Sequence, residues 1–288
     1  WITTLGYPEG VIVGSIVLGN QAAEAPAEWR DRFVQVGLAH VLAASGFHVS
    51  VLLGVLAALT RGWRRSLAVL AGAIALMVFV ALAGGSPAVL RAALMGVAAL
   101  IGWASGRSIN GLGALSLAVT ALLLWQPLWI WDVGFQLSAT ATFGLLVSAE
   151  PIARKLDFLP PIIAESLATT LAATLWTLPI QLFTFYEISP YAIVANLGSS
   201  FLVSLITVAG MASAVISAIL PVVGGAIAWF FLFYPTRLLL WLVETIAAWP
   251  GSRLATGAIT VLQVICLYGL FLWAVSYTHL TLPTNREV

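Results

Sequence analysis

Apolar residues run along this chain in long unbroken blocks, and the polar residues gather in the short gaps between them. The blocks are far longer than the ~10 residues of a membrane β-strand and they do not alternate, so they argue for helices and against a barrel. Read for segments near the ~20 residues that cross a bilayer core, they predict helices over 38–60, 66–83, 88–104, 111–125, 129–149, 162–185, 191–220, 224–248 and 256–275. The block at 111–125 is short enough to be a half-helix. The block at 191–220 is long, and a break near Gly198 is expected. Ahead of them, 10–19 is apolar but too short to span, and "NQAAEAPAEWRDRF" reads as a polar linker followed by an amphipathic helix lying at the membrane interface. The expected fold is an all-α polytopic transmembrane helix bundle of roughly 8–10 spans, half-helices included. Residues 1–33 form an extracytoplasmic lead-in, 34–275 the transmembrane domain, and 276–288 a tail of a different character.

Composition agrees with lipid as the solvent. Of 288 residues, 61% are hydrophobic and 8% charged, against about 25% charged in a soluble domain. The net charge of +1 announces no bulk attraction for a polyanion. The single cysteine, Cys266, sits in an apolar run and has no internal disulfide partner. The tryptophans fit aromatic belts, with Trp125, Trp129 and Trp131 at one connection. The chain opens at Trp1 without a methionine, as a fragment would. Its last stretch, "SYTHLTLPTNREV", turns abruptly polar and resembles a translated adapter tail, so it is set aside from the fold together with His279.

Basic residues in the short loops orient the bundle. Arg61, Arg64 and Arg65 follow the first span, Arg107 the third, and Arg154 with Lys155 the fifth. The alternate connections, "GGSP", "QPL" and "YEISP", carry no Lys or Arg. The basic loops are expected in the cytoplasm, which places the N-terminus outside. Arg30 and Arg32 then lie outside, offset by Glu24, Glu28 and Asp31.

Polar side chains within apolar spans are costly, and therefore informative. His40, Ser45 and His48 enter the first span from outside. Ser86 and Pro87 begin the third, with Arg91 one turn in. Asp132 and Gln136, four apart on one helical face, begin the fifth. Asn196 begins the seventh, with Ser199 and Ser200. In this topology all four sets lie in the outer half of inward-running spans, so they are expected to converge on one outward-facing cavity.

Ser86 suits an N-cap and Pro87 the first helical position, and a helix N-terminus with Arg91 about 6 Å deeper would hold a phosphate or carboxylate. Equally, Ser86 is only a cap and Arg91 snorkels or pairs with Asp132. On one helix, His40 and His48 would be eight positions apart, too far to bind a metal as a pair. They are either interhelical hydrogen bonds or pore lining. No metal site and no cofactor is expected. Glu165 and Glu244 read as interfacial or paired charges.

These motifs resemble the ComEC-type competence proteins. "HVLAASGFHV" (residues 40–49) is similar to that family's "HLLAxSGLHV", and "GGSPAVLRAALM" (84–95) to "GxSPSVLRAxLM". "DVGFQLSATATFGLL" (132–146) is similar to "DxGFQLSFxAxxGL", and "PIQLFTFYEISPYAIVANLGSSFLV" (179–203) resembles the segment ending in "ANLLxxPL". The chain departs at Val41, Ala44 and Phe47, and it lacks the final "PL". The resemblance covers roughly 10–275, with the motifs in the family's order.

The resemblance implies an inner-membrane channel that passes single-stranded DNA into the cytoplasm during natural transformation, with the lipid bilayer, DNA-uptake and translocation proteins, and a second copy as further partners. It implies an OB-like domain upstream and a metallo-β-lactamase-like domain downstream. The histidine motif of the latter does not occur here, so this stretch is expected to have no nuclease activity. The expected DNA path is built from His40, Ser45, Gly46, His48, Ser86, Arg91, Asp132, Gln136 and Asn196. Ser45 and Gly46 would keep the first helix slim there. Two other classes remain open: a secondary transporter for a small anion, and an intramembrane serine hydrolase with Ser45 as nucleophile and a histidine as base.

Overall fold

A computed structural model describes residues 1–20 and 23–281, without the side chains of Ala274 and of 276–281. Residues 21–22 of the expected linker and 282–288 of the expected tail lie outside the described residues.

The chain is helical almost throughout. The helices are α1 (Ile2–Leu5), α2 (Glu9–Leu18), α3 (Ala27–Gln35), α4 (Gly46–Leu59), α5 (Arg65–Leu82), α6 (Pro87–Ser105), α7 (Gly111–Trp125), α8 (Val133–Gly144), α9 (Glu150–Lys155), α10 (Pro161–Phe185), α11 (Ala192–Ile219), α12 (Pro221–Ala247) and α13 (Val261–Thr281). Among the described residues, five helices (α5, α6, α10, α11 and α12) are long and apolar enough to cross a bilayer. Large apolar side chains point outward around the bundle, Val222 at 87% exposure and Ile162 at 83%. Water would not tolerate so continuous an apolar surface. The protein is a multi-pass membrane protein.

Three expected helices differ in where they start or break. The segment 38–60 is not one helix. It starts as a 3-10 turn (Ala39–Leu42), straightens at Ser45 (φ −138°, ψ 177°), and only then enters α4. At 14 residues, α4 is about 21 Å long. Ser45 stops helix formation behind it because it serves as the N-cap. The expected helix at 129–149 likewise begins as a 3-10 turn (Pro127–Trp131), and α8 starts after Asp132. The expected break at Gly198 is absent: α11 runs unbroken for 28 residues. Gly198 there serves packing, since a Cβ would lie 3.3 Å from Leu242 of α12. α7, at 15 residues, is as short as its sequence implied.

Small residues set the helix spacing, as they do wherever helices associate in lipid. Ala164, Ala168 and Ala172 make a buried stripe at every fourth position of α10. Gly210 of α11 admits Val17 of α2, and Gly96 of α6 admits Val49 of α4. Gly144 admits Trp176, whose indole N–H donates to Ser148 at 2.9 Å. Ser148 lies in a π-helical turn (Leu145–Ala149) joining α8 to α9, just before Pro151, which has no N–H to give an α-helical bond.

The lead-in helices pack inside the molecule. Ile12 and Ile16 of α2 and Phe33 of α3 are fully buried, in one core with Ile206 of α11 and Leu232 and Leu239 of α12. The apolar face of α3 thus meets protein instead of the lipid surface. Arg32 of α3 pairs with Glu244 of α12. A second core joins α4, α5 and α6 through Val49, Leu76, Phe79 and Val89. On the expected outer side, strands β1 (Glu187–Ile188) and β2 (Leu254–Ala255) pair antiparallel and tie together the connections after α10 and α12. Arg253 clasps Glu187 there, with a 2.8 Å bond to Oε1, and holds that carboxyl below the usual carboxylate range.

Gly144→Val is expected to destabilise the protein by about 1–3 kcal/mol, since the added atoms overlap Trp176. Gly54→Ala, into open space in the middle of α4, should instead stabilise it by about 0.5–1 kcal/mol. Thermal unfolding of both variants in detergent checks the pair.

Candidate functional site

Because α4, α6, α8 and α11 follow one another through reversing connections, their N-termini share one end of the bundle. Each end is set by its own residues. Ser86 caps α6, its Oγ accepting from the Val89 N–H at 3.4 Å, with Pro87 at the first position. Asp132 caps α8, Oδ1 accepting from the Phe135 N–H at 2.7 Å, where a carboxylate also meets the positive end of the helix dipole. Asp132 and Gln136 therefore do not form a pair on one helical face: Asp132 precedes the helix, and Gln136 donates back to the Ile130 carbonyl at 2.7 Å.

The cap of α4 is the most connected. Ser45 and His48 form a capping box in which the imidazole replaces the usual Glu or Gln. Nδ1 of His48 accepts the Ser45 backbone N–H at 3.2 Å, and Nε2 lies 2.6 Å from the Ile16 carbonyl. A carbonyl can only accept, so Nε2 carries the proton and Nδ1 is the acceptor. Ile16 is in the last turn of α2, where carbonyls lack helical partners. One ring thus closes the start of α4 and the end of α2. His48 is 2% exposed and stacks on Phe79. It is a packed structural bridge, and in this arrangement it does not line a wet path. Ser45 Oγ also lies 3.2 Å from Nδ1. That is the reach a serine–histidine pair needs, yet Nδ1 is already engaged by the Ser45 backbone.

Arg91 does not pair with Asp132. It is 4% exposed, and Nε donates to Ser138 of α8 at 3.0 Å. A second guanidinium nitrogen reaches Met95, one turn deeper in α6, so the side chain turns away from the helix's own N-terminus. Across from it stands the first residue of α4: a Cβ on Gly46 would lie 3.6 Å from Arg91 Nη2. Among the described residues Arg91 makes no ion pair. A permanent cation and the positive end of α4 therefore share a covered space with no carboxylate at bonding distance.

His40 and Asn196 form a separate, outer contact. His40 is exposed on its 3-10 turn, with the Asn196 side chain and the Gly37 backbone beside its ring. Asn196 sits one turn into α11 and donates to the Ala192 carbonyl at 2.8 Å. The expected residues thus fall into an inner group (Ser45, Gly46, His48 and Arg91), an outer pair (His40 and Asn196), and separate caps (Ser86, and Asp132 with Gln136). Ser138 was not among the expected residues. Its signal was its place in "GFQLSATA", two positions beyond Gln136, within the same block that carries the polar pair.

A family model described as "Competence protein" matches residues 16–281. The "ComE operon protein 3" of Bacillus subtilis (strain 168) is 32% identical over 167 residues, 57% of this chain and 21% of that protein. The "Uncharacterized protein YcaI" of Escherichia coli (strain K12) is 28% identical over 218 residues, 70% of this chain and 28% of that protein. The chain therefore spans less than a third of the length of these relatives. No solved structure matches it.

His48→Phe keeps an aromatic ring but leaves the Ile16 carbonyl and the Ser45 N–H unpaired, at an expected cost of about 1–3 kcal/mol for each group. Unfolding in detergent measures the loss. Nitrogen NMR of the His48 ring should show a protonated Nε2 and a bare Nδ1.

Proposed function

The chain belongs to the competence protein family, and on that premise we propose that its helix bundle is the membrane conduit through which single-stranded DNA passes inward across the bacterial cytoplasmic membrane. The observation that carries this reading is the buried guanidinium of Arg91 against the N-terminus of α4, with no carboxylate in partnership among the described residues. Cations are rarely left so inside a membrane protein unless an anion visits. A phosphodiester suits the place: helix N–H groups and a guanidinium both favour phosphate oxygens.

The geometry supports a reading of the rest of the path. His40 and Asn196 offer neutral hydrogen bonds at the outer mouth. Ser86 and its helix N-terminus lie at the same end, one turn above Arg91. In the present arrangement the inner group is covered, so passage requires the start of α4 to part from α6 and α8. Gly46, without a side chain, keeps that contact thin. A sparse set of cations fits conduction, which needs binding weak enough to release. Dense Lys and Arg would hold a polyanion fast. A small-anion carrier would use the same Arg91, and DNA passage against solute accumulation in vesicles separates the two.

Arg91→Met removes the charge at similar length and should lower DNA uptake at least about tenfold, the size expected of one lost charged contact, while membrane insertion stays normal. Arg91→Lys should retain part of the activity. Unchanged uptake in Arg91→Met would sink the phosphate role. On a Cys266→Ser background, cysteine at 40 should react with an impermeant thiol reagent from outside and be shielded by single-stranded DNA. Cysteine at 48 should not react.

A further inference from the structure

The opposite end of the bundle carries a feature that DNA passage leaves unused. Between α4, α5 and α6 lies a cavity of about 180 Å³, lined chiefly by Leu53, Leu56, Ala57, Ala68, Leu100 and Trp103. Its wall is mainly apolar. The hydroxyl of Thr60, at its end, donates its proton to the Leu56 carbonyl at 2.7 Å. An anion would find no side-chain donor free to bond it inside. A dry apolar void in a membrane protein lowers its free energy by admitting hydrocarbon.

The mouth is different. Arg61 directly follows Thr60. Arg64 and Arg65 lie one turn before Ala68, and Arg107 lies four residues after Trp103. All four are exposed, and among the described residues none makes an ion pair. Arg65 is anchored at the rim: its guanidinium lies 5.9 Å from the Trp103 ring centre and donates to the Ala104 carbonyl at 3.4 Å. Trp63 and Trp103 are half-exposed at the same level (57% and 48%), as side chains at a membrane–water interface are. An apolar slot therefore opens beside four exposed cations that have no ion-pair partner among the described residues.

We propose that this slot is a binding site for an anionic phospholipid of the cytoplasmic leaflet. Part of one acyl chain lies between α4, α5 and α6, and the headgroup phosphate sits among Arg61, Arg64, Arg65 and Arg107. Each half of the site selects one half of the lipid. The slot takes a hydrocarbon chain and rejects a free anion. The arginines, set at the rim and not inside, discriminate headgroups by charge. The lipid would bridge the connection after α4 to the end of α6, and so hold the inner end of the helix whose outer end forms the Arg91 site. The proposal does not depend on DNA transport.

Binding of dioleoylphosphatidylglycerol and dioleoylphosphatidylcholine to the purified chain, read by native mass spectrometry, tests it. The anionic lipid should bind more tightly. Neutralising Arg61, Arg64 and Arg65 together to Gln should reduce that preference at least about tenfold, in line with the attraction expected of three interfacial cations. Ala57→Phe with Ala99→Phe fills the slot from two exposed rim positions, and should weaken both lipids alike. Inorganic phosphate in excess should displace neither. Equal binding of the two lipids by the unchanged protein would overturn the proposal, as would full binding by the filled slot or displacement by phosphate alone.

Discussion

The imidazole of His48 is the interaction on which the arrangement of the bundle depends. Lipid supplies no hydrogen bonds, so a helix that starts or stops inside a membrane protein must find partners for its free N–H and C=O groups within the chain. α2 and α4 are both short, and the end of one and the start of the other fall in the interior. His48 accepts from the start of α4 and donates to the end of α2. Only a neutral imidazole can do both from one ring. With that bridge made, α2 stays among α11 and α12, and Ser45 and Gly46 are set against α6. Phe79 closes the other face of the ring, so the bridge also joins the two hydrophobic cores.

That placement has an electrostatic consequence. Bringing the N-terminus of α4 against Arg91 puts two sources of positive potential together in a medium of low dielectric. Ser138 accepts one guanidinium bond and Met95 offers a soft contact, but neither is an anion. Elsewhere the chain pairs its charges with care: Arg32 with Glu28 and Glu244, Arg253 with Glu187, and Arg237 with Glu9. Arg91 stands outside that pattern, at the one level where the polar motifs gather. The four exposed arginines at the inner end stand outside it too, but water and headgroups can compensate those.

Much of the architecture was legible in the amino-acid sequence because lipid imposes a single demand, long apolar helices, and composition answers it directly. The spans from α5 to α7 and from α10 to α12 were visible as blocks, and so was the cap at Ser86. Glu244, expected as an interfacial or paired charge, pairs with Arg32. These are local matters: a cap is decided by the residues within one turn of it, and a span by its own length.

What the tertiary structure alone decided were the ends and contacts that depend on a partner elsewhere in the chain. An apolar block says nothing about where a helix begins within it, and so 38–60 read as one span although Ser45 and His48 stop it near the middle. The stop depends on a carbonyl 32 positions away. Gly198 looked like a hinge but is a close approach to Leu242. Asp132 and Arg91 were one possible pair, yet each is taken by a nearer group, the Phe135 N–H and Ser138. The sequence by itself determined that this protein lives in a membrane as a helix bundle, and that its polar residues collect at one end. Which of them are buried bridges and which stand open was decided by packing, because inside lipid a polar group goes to whichever partner the neighbouring helix presents.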